Sequence, residues 1–121
     1  RSQTTAARPP GLVRWMWADG FCGSIGLRWR TPGDPTLPAY VLGHIGYSVV
    51  PWRRREGHAT RALAELLPDA RALRLPYVEL TTEPDNLPSQ RVILANGGRL
   101  VERFITDAHG YGEKLRWRIA L

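Results

Sequence analysis

The sequence predicts an α/β domain of the α+β kind, a mixed and mostly antiparallel sheet with a parallel strand pair at its centre and flanking helices. Three observations lead there. An amphipathic helical pattern over residues 57–73 separates two strand-like runs, 44–50 and 77–82, the arrangement of a right-handed crossover between parallel strands. The pair Asp19-Gly20 is a hairpin turn between two earlier strand-like runs. After a second, shorter helix, two more alternating runs close the chain and add antiparallel strands at the other flank.

Each element has a local cause. Residues 1–10 are polar and end in Pro9-Pro10, so they are expected to form a disordered or extended leader, with one domain over 11–121. Strands are expected over 12–17 and 21–30, although Gly23 and Gly26 weaken the second. Pro32, Gly33, Pro35 and Pro38 make 31–42 a surface loop. In the long helix Ala59, Leu63, Leu66, Leu67, Ala70 and Leu73 share one face. Pro68 removes the hydrogen bond to the Ala64 carbonyl and is expected to bend that helix. The second helix starts near Asn86 or Pro88 and stops at Asn96-Gly97. Strands follow over 99–106 and 113–121, joined by a turn at His109-Gly110-Tyr111-Gly112.

Composition narrows the function. With 121 residues, 43% of them hydrophobic, the chain can bury one core. No apolar run is long enough to span a bilayer, so no membrane partner is expected. The start, Arg1-Ser2-Gln3-Thr4-Thr5, has no initiator Met and no hydrophobic leader, and reads as a fragment or a processed chain. A lone Cys22 excludes an internal disulfide framework and suits a reducing compartment, so the expected location is cytoplasmic. The net charge of +6 would ordinarily raise nucleic-acid binding. Only Lys114 among the 17 basic residues is a lysine, however, which points to arginine-rich codon usage, as in a GC-rich bacterial genome. The arginines are also dispersed, apart from Arg53-Arg54-Arg55.

That cluster carries the chemistry. Val49-Val50 ends a strand, Arg54-x-x-Gly57-x-Ala59 follows, and a helix begins. The first turn of a helix has amides without intrahelical partners and the positive end of the macrodipole, so it binds anions through its main chain. Gly57 and Ala59 leave that surface bare, and the arginines add forked donors. The alternative is a solvated basic turn before an ordinary helix.

The junction resembles the acyl-CoA-binding motif of the GNAT N-acetyltransferase superfamily, Gln/Arg-x-x-Gly-x-Gly/Ala. The resemblance extends to Gly43-His44-Ile45-Gly46-Tyr47 before it, and to Asp85-Asn86-Leu87-Pro88-Ser89 and Asn96-Gly97-Gly98 after it, covering residues 11–121. It implies a GNAT-like fold lacking the N-terminal strand and first helices, with the central parallel strands splayed apart at their C-terminal ends. It also implies acetyl-CoA as co-substrate, its pantetheine arm on the main chain of Val49 and Val50, and its phosphates on Arg54, Arg55, Gly57, His58, Ala59 and Thr60, with Asn86 and Ser89 on the arm. The acceptor would be the primary amine of a small molecule or peptide, and a homodimer is compatible with the pattern.

Acetyl transfer to an amine requires a base for the attacking nitrogen, a polarised thioester carbonyl and an outlet for the thiolate, and none of these requires a metal. His44 stands where many relatives carry an acidic base, with a structural histidine as the alternative. Glu83 and Glu79 are further base candidates, Glu79 more simply a solvated strand residue. The family's frequent general acid, a tyrosine seven residues after the Asn of Asn-x-x-Ser, is replaced by Ile93. Ser89 or water would then act at the sulfur. Asn86 also suits a helix N-cap. Cys22 reads as a small apolar filler, and the three histidines have no metal-ligand spacing. Trp15, Trp17 and Trp29 read as core or acceptor-pocket aromatics in preference to a stacking platform for nucleic acid. Two rivals remain, an acyl-CoA-binding or sensory domain without catalysis and a basic nucleic-acid-binding module.

Overall fold

A computed structural model of the chain describes residues 10–37, 41–50, 54, 57–106 and 112–121. The elements in order are β1 (Gly11–Trp17), β2 (Phe21–Arg28), β3 (Ile45–Val49), α1 (His58–Ala72), β4 (Tyr77–Thr82), α2 (Leu87–Ala95), β5 (Arg99–Thr106) and β6 (Gly112–Ala120). Every expected element is present. The second strand stops two residues before its expected end, where the Pro-rich loop begins. The turn expected at 109–112 lies, but for Gly112, outside the described residues.

The strands form two antiparallel three-stranded sheets, β1-β2-β3 and β4-β6-β5. The central parallel pair, β3 beside β4, is no continuous ladder. It is held at its base by a hydrogen bond of 2.8 Å from the His44 amide to the Glu79 carbonyl. Gly43 permits that approach, because a Cβ there would lie 2.8 Å from the same carbonyl oxygen. Beyond this point the two strands part, which leaves a gap between the two sheets.

One core nevertheless spans both sheets. α1 lays Leu63, Leu66, Leu67 and Ala70 over Cys22, Ile25 and Leu27 of β2, Ile45 of β3, and Val78 and Leu80 of β4, with Trp117 and Ile119 from β6. Leu63 and Leu66 are fully buried, and each such side chain contributes about 1.5–3 kcal/mol relative to exposure. The Trp117 indole donates to Thr82 Oγ1 at 3.0 Å, so the buried ring leaves no orphan donor. Pro68 lies on the exposed face of α1, and the helix continues through it to Ala72.

For two of the tryptophans the core alternative is corrected. Trp15 and Trp17 are 62% and 69% exposed, and so are not core. Alternation along β1 turns Met16 and Arg14 toward α1, where Arg14 pairs with Asp69 at 2.7 Å, and turns Val13, Trp15 and Trp17 to the opposite face. There Trp15 and Trp17 pack against Phe21, with ring centroids 5.8 and 5.6 Å away. Trp29 is partly buried against the core, as expected.

Candidate active site

A cleft of 420 Å³ opens where β3 and β4 separate. Ile45, Gly46 and Tyr47 line one wall, Leu80 to Glu83 the other, and Asn86, Ser89 and Ile93 of the α2 segment close one side, with Arg28 and Lys114 also reaching it. The backbone of β3 alternates in direction. Val50 N–H points to β2, donating to the Cys22 carbonyl at 2.7 Å, so the N–H and C=O groups of Val49, Tyr47 and Ile45 point to the cleft side. An extended ligand entering the cleft meets unladdered strand backbone, the setting for β-strand addition.

This alternation revises the expected main-chain contacts. Val49 fits, with its carbonyl on the cleft side and Arg54 Nε donating to it at 3.3 Å. Val50 does not, because its N–H is engaged by β2. Tyr47 and Ile45, two and four residues upstream of Val49, offer the equivalent groups.

At the start of α1, Gly57 is the N-cap with φ 80, a left-handed conformation that favours glycine, and it makes no side-chain cap hydrogen bond. The Arg61 amide is the one that returns to the Gly57 carbonyl, at 3.1 Å, so the amides of His58, Ala59 and Thr60 precede the helical ladder. No acidic residue occupies the first turn. His58 and Ala59 are buried, and His58 Nδ1 lies 3.2 Å from Arg61 Nη2. Arg55 lies outside the described residues. Asn86 caps α2, its side chain accepting from the Ser89 amide at 3.3 Å. Asn96 donates to the carbonyls of Thr60 at 3.2 Å and Val92 at 3.0 Å, which fixes the first turn of α1 against the end of α2.

The three catalytic candidates separate. His44 is fully buried. Its Nδ1 accepts from the Glu79 amide at 2.9 Å, which puts the ring proton on Nε2, and Nε2 donates to the Pro35 carbonyl at 2.9 Å. Burial pushes its pKa below the usual imidazole value, and neither nitrogen has a lone pair left for a substrate proton. The base role expected of His44 therefore does not fit its geometry, and its part is to fasten β3 to β4. Glu79 is not a solvated strand residue either. Its carboxylate takes Arg118 Nη2 at 2.7 Å and Arg116 Nη1 at 3.4 Å, with its side chain 12% exposed. Glu83 does line the cleft, paired with Lys114, whose side chain is 12% exposed.

Ser89 reaches the cleft from α2, and its Oγ lies 2.6 Å from the Tyr47 phenol oxygen. Burial pushes the Tyr47 phenol pKa up. The sequence carries no local signal for this pair, since the partners stand 42 residues apart and only the folded sheet brings them together. Ile93 is 1% exposed at the back of the cleft and supplies no proton. Cys22 is fully buried beside the carbonyls of Ala18 and Gly20, in keeping with its reading as filler.

A family model described as an acetyltransferase (GNAT) domain matches residues 3–99. Among solved structures the chain is similar to Mycobacterium smegmatis RimJ in complex with CoA-disulfide, at 28% identity and TM-score 0.72, over 91% of this chain and 53% of that one. It shares the fold of a ribosomal-protein-alanine N-acetyltransferase from Brucella melitensis, at 18% identity and TM-score 0.70, over 90% and 68%. The same holds for the microcin C7 self-immunity acetyltransferase MccE in complex with acetyl-CoA and AMP, at 14% identity and TM-score 0.69, over 92% and 61%. The chain thus spans 53% of the length of the RimJ chain. No curated protein gives a match.

Proposed function

The chain belongs to the GNAT acetyltransferase family, and we propose that it binds acetyl-CoA in the cleft between β3 and β4 and transfers the acetyl group to a primary amine of a small molecule or peptide. The observation that carries this reading is the parting of β3 and β4, which leaves the backbone of Ile45, Tyr47 and Val49 facing a 420 Å³ cleft. The phosphates would rest on the first turn of α1, whose N-cap Gly57 has no side chain, with Arg54 preceding it and Arg55 in the same segment of sequence.

The chemistry follows from the groups that line the cleft. The neutral amine attacks the acetyl carbon, and a cleft-facing β3 amide donates to the oxygen as charge develops there. Glu83 takes the proton from the attacking nitrogen, directly or through water. The C–S bond breaks with its electron pair going to sulfur, where the Ser89 hydroxyl stabilises the thiolate. Solvent then protonates the thiolate and Glu83 returns its proton to solvent, so charge and atoms balance.

A coenzyme A-binding domain without turnover is the second reading. It is favoured by the sequestration of His44 and by the engagement of Glu83 with Lys114. Thiol release from acetyl-CoA across a panel of amines, with this 121-residue chain and with any longer protein containing it, separates the two.

The cofactor site itself is tested by calorimetry. Gly57→Glu should weaken coenzyme A by roughly tenfold or more, because a carboxylate facing phosphates costs at least about 1.4 kcal/mol. Gly57→Asn, which tolerates left-handed backbone and adds no charge, should lose less. Unchanged affinity in Gly57→Glu would sink the assignment.

A further inference from the structure

We infer that Tyr47 is a positioning residue for Ser89: its phenol donates the short hydrogen bond between them, which leaves the Ser89 proton free to point into the cleft at the sulfur of coenzyme A. The inference rests on the cofactor reading above and names a residue that reading does not need.

Geometry supplies the first part. The two oxygens are 2.6 Å apart, at the short end for O–H···O bonds. Tyr47 pairs in register with Ile25, on the face of β3 turned toward the core, so its ring crosses from the sheet to α2. Ser89 is held at the other end by the first turn of α2, its amide bonded to Asn86. Both residues line the cleft.

Chemistry supplies the direction. A phenol is far more acidic than an aliphatic hydroxyl, so it is the better donor, and the aliphatic oxygen is the better acceptor. Burial favours the neutral phenol, which keeps that donor in place through the neutral range. With its oxygen accepting from Tyr47, Ser89 has one proton left to give. Ile93, where the family pattern would have a tyrosine, carries no proton.

The test reads the sulfur, so it does not depend on the unidentified acceptor. Coenzyme A is bound to the chain and its thiol is titrated by ultraviolet thiolate absorbance, with binding followed by calorimetry. A hydroxyl directed at sulfur stabilises the thiolate and lowers the pKa of the bound thiol. Tyr47→Phe keeps the ring but not the donor, and should raise that pKa by about one unit, the scale of one hydrogen bond to a charged group. Ser89→Ala should raise it at least as much, and Tyr47→Phe should add nothing in the Ser89→Ala background. An equal shift from Tyr47→Phe in both backgrounds, or no shift in either, overturns the inference while leaving the cofactor site standing. So does loss of coenzyme A binding in Tyr47→Phe with binding retained in Ser89→Ala, since Tyr47 would then act on the cofactor and not through Ser89. Failure of the unsubstituted chain to bind coenzyme A overturns the site itself, and this inference with it.

Discussion

His44 is a polar ring placed where a strand core would normally take an aliphatic side chain, and it is tolerable there because both nitrogens are matched by backbone groups on two different segments. The match holds for the neutral ring only. Burial holds its pKa below the ordinary value, and protonating Nδ1 would set an N–H against the Glu79 amide. The unfolded chain takes up a proton near the ordinary imidazole value of about 6.5, while the folded chain resists it until a lower pH. The contribution of His44 is therefore complete above about pH 6.5 and is lost as pH falls toward the folded pKa, at a limiting slope of about 1.4 kcal/mol per pH unit. Urea unfolding at several pH values should show this loss setting in as pH falls below about 6.5. His44→Gln, which keeps hydrogen-bonding capacity but has no titrating ring, should be less stable at pH 7.5 and flatter across the window. A parallel decline in both proteins would assign the effect to other groups. Because His44 supports the fold and not the proton transfer, any turnover by the His44→Gln chain should keep the pH profile of the parent.

At the scale of elements, periodicity and punctuation in the sequence are enough to locate all six strands and both helices, since each has a local cause. Hydrophobic spacing defines α1, Asp19-Gly20 turns the first hairpin, and Asn86 and Asn96 bound α2. The left-handed turn at Gly57, proposed above to receive the phosphates, is legible for the same reason, being a property of contiguous residues. What is not legible depends on two segments meeting. The burial of His44 requires Pro35 and Glu79, the Tyr47 to Ser89 bond spans β3 and α2, and the outward turn of Trp15 depends on which face of β1 receives α1. Asn96 belongs to this second group, because the Asn-Gly-Gly stop reads as a C-cap while its side chain also grips Thr60 of α1. Asn96→Ala removes two hydrogen bonds to backbone carbonyls, at about 1 kcal/mol each. The midpoint of denaturant unfolding should fall by an amount worth about 1–2 kcal/mol, with the slope unchanged. A loss of a few tenths or less would show that the α1–α2 junction is held by apolar contact alone.

For the whole molecule the question is what the excess of positive charge serves. Much of the charge on the C-terminal sheet is matched locally, because Arg103 pairs with Glu113, Lys114 with Glu83, Arg116 with Glu102 and Glu79, and Arg118 with Glu79. Two of these guanidinium groups also stack on rings, Arg116 over Phe104 at 4.6 Å and Arg118 over Tyr77 at 3.9 Å, so they are committed to the fold. Arg14 is paired with Asp69 across β1 and α1. A surface so interleaved with carboxylates is poorly suited to tracking a nucleic-acid backbone, which needs many unpaired cations along one face. Coenzyme A presents its phosphates at one place, and the amides that open α1 are fixed dipoles whose effect does not depend on releasing condensed counterions. The two ligand classes should therefore differ in salt dependence. Binding to duplex DNA or RNA by a protein that neutralises several phosphates would fall by about 0.9 in log K per contact for each tenfold rise in salt. Coenzyme A affinity should fall with a slope nearer one contact, and any residual nucleic-acid binding should be weak and displaced by coenzyme A. Calorimetry with coenzyme A and fluorescence anisotropy with labelled RNA and DNA, both across a salt series, make the comparison. Tight nucleic-acid binding with a steep salt slope, unaffected by saturating coenzyme A, would locate the function of the basic charge outside the cleft.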